Sequence, residues 1–321
     1  MELTERPRRL RQNKSIRDMV RETSMRPEHL FFPFFVCEGK KQRSSHKSVP
    51  GIVTVSVDQI PTLIKPYWDA GIRAFVLFGV VEKKDKNGSR ALDKKGPVVQ
   101  AIKEIRSKYP EAIVVTDIAL DPYTDHGHDG LYEKGEILND ATVEVLCEMS
   151  ILHAQAGAQM LSPSDMMDGR IGAVRLALDA AGFENNMIMA YTAKYASALY
   201  GPFRDTLNVK LKGDKKSYQM DPANRREALR ELQLDLQEGA DIVMVKPATW
   251  YLDVISDFKQ ASNVPVAAYH VSGEAALIEV GAKAGLFDRD RAILESLLSI
   301  RRAGADLILS YQALDAARLI G

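Results

Sequence analysis

Short apolar runs recur along the chain at residues 30–36, 73–80, 112–120, 159–164, 186–193, 241–245, 264–271 and 306–310, each bounded by turn-forming residues. Most are continuous rather than alternating, the pattern of parallel strands covered on both faces. Between most of them lie stretches with helical spacing. In 140–157 the apolar residues Val143, Leu146, Met149, Ile151 and Leu152 recur close to every third or fourth position. The stretch 221–239 opens on Asp221-Pro222 and closes on Gly239, which predicts a helix with Pro at its first position. A weak repeat reinforces the pattern: Ala70-Gly71-Ile72, Ala156-Gly157-Ala158, Glu238-Gly239-Ala240 and Ala303-Gly304-Ala305 each precede an apolar run. A glycine just past a helix supplies the left-handed residue that ends it. Eight such strand–helix units predict an α/β chain, a (β/α)8 TIM barrel over 30–321. A doubly wound open sheet is the runner-up, without the GxGxxG expected after its first strand.

Residues 1–29 break the pattern and predict an extended N-terminal arm. They carry Arg6, Arg8, Arg9, Arg11, Lys14, Arg17, Arg21 and Arg26 with few apolar residues, too little to fold alone. A solvated tail and an arm packed on a neighbouring subunit both fit. An organelle transit peptide is opposed by Glu2, Glu5, Asp18, Glu22 and Glu28.

Composition narrows the partners. The 321 residues hold 43 Lys and Arg against 43 Asp and Glu, which argues against a nucleic-acid binder. Cys37 and Cys147 stand far apart with no CxxC, so neither a disulfide scaffold nor a thiolate zinc site is expected. No apolar run approaches the roughly 20 residues that span a bilayer, and no apolar leader opens the sequence. A cytoplasmic location without membrane partners is expected.

The C-terminal ends of barrel strands carry the chemistry. Here they offer Lys194 and Lys246 after adjacent apolar runs, with Tyr269, Ser272, Ser310 and Tyr311 on the last two. A lysine at an apolar mouth loses solvation, and a second ammonium lowers its pKa further. The neutral amine can then attack a carbonyl and form a Schiff base. Each lysine could instead snorkel to solvent. The third strand runs into Asp117, Asp121, Asp125, His126, His128 and Asp129, which could bind a hard cation or form a self-capped turn. Residues 195–220 form a long cationic segment beside Lys194, a candidate lid that clamps a carboxylate or a solvated loop. A single-lysine class I aldolase and an RNA- or subunit-binding protein using the basic arm are the rival readings.

The runs 117–130, 191–205 (YTAKYASALYGPFRD), 214–226 (DKKSYQMDPANRR), 244–248 (MVKPA), 269–274 (YHVSGE) and 309–311 closely resemble the porphobilinogen synthase, or δ-aminolevulinic acid dehydratase, family. The resemblance covers about residues 15–311 and implies a (β/α)8 barrel with an N-terminal arm, assembled as a homo-octamer. It implies condensation of two 5-aminolevulinate molecules to the pyrrole porphobilinogen with loss of two waters, an early step of tetrapyrrole (haem, chlorophyll) synthesis. On the matching positions, Lys246 forms the P-site Schiff base and Lys194 serves the A-site substrate. Tyr269, Ser272 and Tyr311 face the P-site substrate, with Ser272 and Tyr311 on its carboxylate. Arg204, Lys215 and Gln219 hold the A-site carboxylate, and Asp117 and Ser164 line the amine end. Zinc-type members carry three cysteines where this chain has Ala119, Asp121 and Asp129, so no catalytic zinc is expected. Asp121 and Asp129 remain candidates for an active-site cation. An allosteric Mg²⁺ is expected at Glu231. Lys215 replaces an arginine found in some members, a point charge for a bidentate fork.

Overall fold

A computed structural model describes residues 3–208 and 211–320; Met1 and Glu2 of the expected arm, Val209 and Lys210 of the expected lid, and Gly321 lie outside the described residues. Eight parallel strands form the barrel: β1 (Leu30–Cys37), β2 (Ala74–Val80), β3 (Ile113–Ile118), β4 (Met160–Pro163), β5 (Met187–Lys194), β6 (Ile242–Lys246), β7 (Val266–His270) and β8 (Leu307–Ser310). Each pairs with its successor, and β8 closes on β1 with Leu30 opposite Ile308. Every expected strand is present. The open-sheet alternative fails at that closure.

The continuous apolar runs conceal a two-residue alternation. Phe32, Phe34 and Val36 of β1 join the layer packed under the helices, whereas Phe31 and Phe35 join Met160, Tyr191, Met244 and Leu309 in the barrel interior. Both faces are dry, so both are apolar. Each fully buried Phe contributes roughly 1.5–3 kcal/mol. The repeat glycines behave as their junctions require: Gly71, Gly157, Gly239 and Gly304 all adopt positive φ, between 91° and 125°, just before β2, β4, β6 and β8.

Three departures have local causes. The helix expected from Pro222 begins at Arg226. Asp221 spends its side chain on a turn instead, accepting from the Ala223 amide at 2.9 Å. A hairpin of Arg43–His46 and Val49–Ser56 follows β1 and extends the sheet beside it. Its outer strand is polar and exposed, which hid it from an apolar-run reading. The long segment after β5 is ordered where described, with the helix Gly201–Leu207 at its start.

In the arm, Pro7–Arg11 and Lys14–Met19 form short helical turns with no buried residue. Leu3, Leu10, Met19 and Val20 are exposed, and burial begins at Met25.

Candidate active site

Lys194 and Lys246 end β5 and β6 and stand directly opposite each other across the strand pair. Strand alternation alone would not put them on one face. Between Ala190 and Ala193 β5 spans one residue more than β6 does between Val243 and Val245. This irregularity resets the phase. Tyr191 faces the interior, Ala193 faces the helices, and Lys194 returns to the interior beside Lys246. Bulges next to active sites commonly re-aim a side chain in this way.

The two amines meet different surroundings. The Lys246 Nζ lies 4.6 Å from the Tyr269 ring centroid, 4.9 Å from Tyr191, and 5.3 Å from both Tyr200 and Phe203. It has no carboxylate at ion-pair distance among the described residues. Aromatic faces return roughly 0.5–2 kcal/mol to an ammonium, less than the several kcal/mol lost on leaving water. Burial, then the neighbouring Lys194 charge, pulls its pKa down to about 7 against the pull of Asp117, Asp121 and Asp129. Lys194 instead donates to Asp129 Oδ1 at 3.2 Å and to the Ser164 carbonyl.

Across the mouth, Lys215 bridges Asp121 at 3.1 Å and Asp129 at 2.9 Å. Burial raises the Asp129 pKa, but Lys194 and Lys215 outweigh it and hold the carboxyl below its usual range. Asp117 has no such partner. Burial and Asp121 push its pKa well up, and its Oδ1 meets no hydrogen-bond donor.

Nine of the expected residues surround one small cavity of about 20 Å³: Asp117, Asp121, Asp129, Ser164, Lys194, Arg204, Lys215, Gln219 and Lys246. That is room for about one water. Gln219 Oε1 is buried there without a partner. The three residues expected to face the P-site substrate, Tyr269, Ser272 and Tyr311, sit to one side. Tyr269 donates to Tyr311 at 3.0 Å, and Ser272 Oγ accepts from the Phe203 amide at 3.2 Å. Glu231 is not part of this group. It lines a separate cleft of about 510 Å³ with Asp168, Asp221 and Glu227.

The expected cation site takes a different form. Asp121 and Asp129 are occupied by ammonium groups, which does not match an open oxygen cage for a divalent ion. His126 and His128 are also turned elsewhere: each has a ring nitrogen at a backbone carbonyl, of Lys86 and Lys212 respectively. Sequence reasoning missed the aromatic cage of Tyr191, Tyr200 and Phe203. All three lie within the recognised run 191–205, and only the β5 irregularity reveals that Tyr191 and Lys194 share a face.

A sequence model of delta-aminolevulinic acid dehydratase matches residues 4–319. The delta-aminolevulinic acid dehydratase of Halalkalibacterium halodurans is 47% identical over 314 residues, covering 98% of this chain and 96% of that protein. That of Streptomyces coelicolor is 49% identical over 319 residues, covering 98% and 97%. The crystal structure of the Toxoplasma gondii enzyme in complex with its product porphobilinogen superposes with a TM-score of 0.96 at 42% identity, covering 98% of this chain and 91% of that one. The chain belongs to the delta-aminolevulinic acid dehydratase family.

Proposed function

We propose that this protein condenses two molecules of 5-aminolevulinate to porphobilinogen, releasing two waters, with Lys246 as the Schiff-base nucleophile. The observation that carries the reading is the cross-strand lysine pair, one amine caged by aromatic rings with its pKa pulled down to about 7, the other held by a carboxylate. A neutral Lys246 attacks the ketone, the carbinolamine loses water, and the resulting iminium acidifies the adjacent C–H for carbon–carbon bond formation. Lys194 then serves the second substrate, as a second imine or as a proton carrier, with Asp129 fixing its amine. Asp117 and Ser164 face the substrate amine. Arg204, Lys215 and Gln219 clamp one carboxylate; Ser272 and Tyr311 receive the other. The cavity is too small for two substrates as it stands, so the cover formed by 201–207 and 211–220 opens to admit them and closes to exclude water. Borohydride reduction in the presence of 5-aminolevulinate should label Lys246, read by peptide mapping. A label found only on other residues sinks the assignment.

The same reading extends to assembly and metal. Burial, with Asp235, Asp168 and Glu227 nearby, raises the Glu231 pKa despite Arg170. A hydrated Mg²⁺ held by Glu231 would relieve that repulsion, since Mg²⁺ commonly keeps several waters and one or two carboxylates. It would supply no chemistry to the substrate and would act on the assembly. The exposed apolar side chains of the arm support packing on a neighbouring subunit of a homo-octamer. The free thiols of Cys37 and Cys147 suit a cytoplasmic enzyme. Glu231→Gln should abolish Mg²⁺ stimulation and keep the metal-free rate; stimulation equal to the parent's would remove the ion from Glu231.

A further inference from the structure

The loop after β3 does more than line the pocket, because its two histidines grip the cover. The Lys212 amide donates to the His126 carbonyl at 3.0 Å. His128 Nε2 lies 2.8 Å from the Lys212 carbonyl, so that nitrogen carries the proton. His128 Nδ1 is then an acceptor, and the Tyr218 hydroxyl lies 3.1 Å from it. The same hydroxyl accepts from the Asp129 amide at 3.3 Å. All the donors and acceptors agree with a neutral imidazole. Tyr132 stacks on the His128 ring, with centroids 4.7 Å apart.

These contacts bracket the working residues. Lys215 and Gln219 reach the cavity from the segment between Lys212 and Met220, whereas His128 and Tyr218 do not line it. We propose that His128 and Tyr218 are positioning residues that latch segment 211–220 shut over the lysine pair. The latch breaks for substrate entry and reforms before chemistry. It places the Lys215 ammonium between Asp121 and Asp129, and so sets the charge around Lys194 without touching substrate. This rests on reading 211–220 as the active-site lid.

Proteolysis of the lid reads the latch independently of turnover. Trypsin nicking at Lys212 and Lys216 is followed in the substrate-free, full-length enzyme, where cleavage tracks the open fraction. Tyr218→Phe removes both hydroxyl contacts with little change in volume. It should speed nicking in the lid roughly tenfold. In the assay kcat/KM should fall by a similar factor, mostly through KM. His128→Ala should act likewise, and the double variant should be accelerated by less than the product of the singles, because either change alone removes the 3.1 Å contact that the two side chains share. Equal nicking of parent and Tyr218→Phe overturns the latch. So does acceleration that comes with cleavage across the barrel, or a double variant whose acceleration is the product of the singles. If the protein lacked the proposed activity altogether, the nicking result would still stand.

Discussion

Lys246 and Lys215 are both lysines of one pocket, exposed by only 6% and 7%, yet their protonation is driven in opposite directions. Lys246 is wrapped in rings and faces a second ammonium, so burial wins and its pKa falls. Lys215 loses as much water, but Asp121 and Asp129 grip its ammonium, and its pKa rises. Burial is common to both; the partner decides the sign. As the proposed nucleophile, Lys246 gains from being unpaired, since a paired amine would stay protonated and inert. The cost of that choice falls on stability, as in other sites where function overrides local satisfaction.

Removing each charge separates the two cases. Lys246→Met should abolish turnover, by about 10⁴-fold or more in an assay for free-α pyrrole, since it removes the amine proposed to form the Schiff base. The same change should leave stability unchanged or higher in denaturant unfolding, because it replaces an unpaired buried cation with an apolar chain. A marked loss of stability would show that Lys246 is paired after all. Lys215→Met should do the reverse to stability. It leaves Asp121 and Asp129 short of their counter-charge in a buried site, at about 3–5 kcal/mol by unfolding. Its activity loss should lie mostly in KM, since the amine is proposed to bind a carboxylate. Unchanged stability would break the contrast.

How much of this was legible beforehand follows the same division. The strands, the glycine junctions and the two lysines could be read because apolar runs and capping glycines are local signals. That Lys194 and Lys246 share a face could not be derived, since it depends on one extra residue in β5 that only the pairing exposes. The Asp-rich loop suggested a cation cage. Composition cannot tell an oxygen cage awaiting a metal from carboxylates awaiting lysines on a distant segment, and here Lys194 and Lys215 arrive 65 or more residues later. The helix expected from Pro222 failed because Asp221 can cap a turn as readily as a helix.

The smallest predicted effect is the most diagnostic, because it reads the sign of the shift on Lys246 directly. With a folded pKa of about 7 against an ordinary 10.5, this amine is mostly neutral above neutrality. In the free enzyme kcat/KM should rise with pH, about tenfold per unit below 7, and flatten above it. Asp129→Asn removes a negative charge that favours the ammonium. It should move this limb to lower pH while weakening the hold on Lys194 and Lys215. Stability carries the matching signature. Between about 7 and 10.5 the unfolded chain binds the proton that folded Lys246 has shed, so this group makes stability increase with pH across that window. Lys215 contributes the opposite way, its stabilisation full below 10.5 and lost as pH rises through its elevated folded value. Lys246→Met should therefore flatten the rise in unfolding free energy between pH 7 and 10, and Lys215→Met should leave that rise in place. An acid limb that stays put in Asp129→Asn, or a pH slope of stability that survives Lys246→Met, would mean that some other group titrates there and that the aromatic cage does not set the nucleophile.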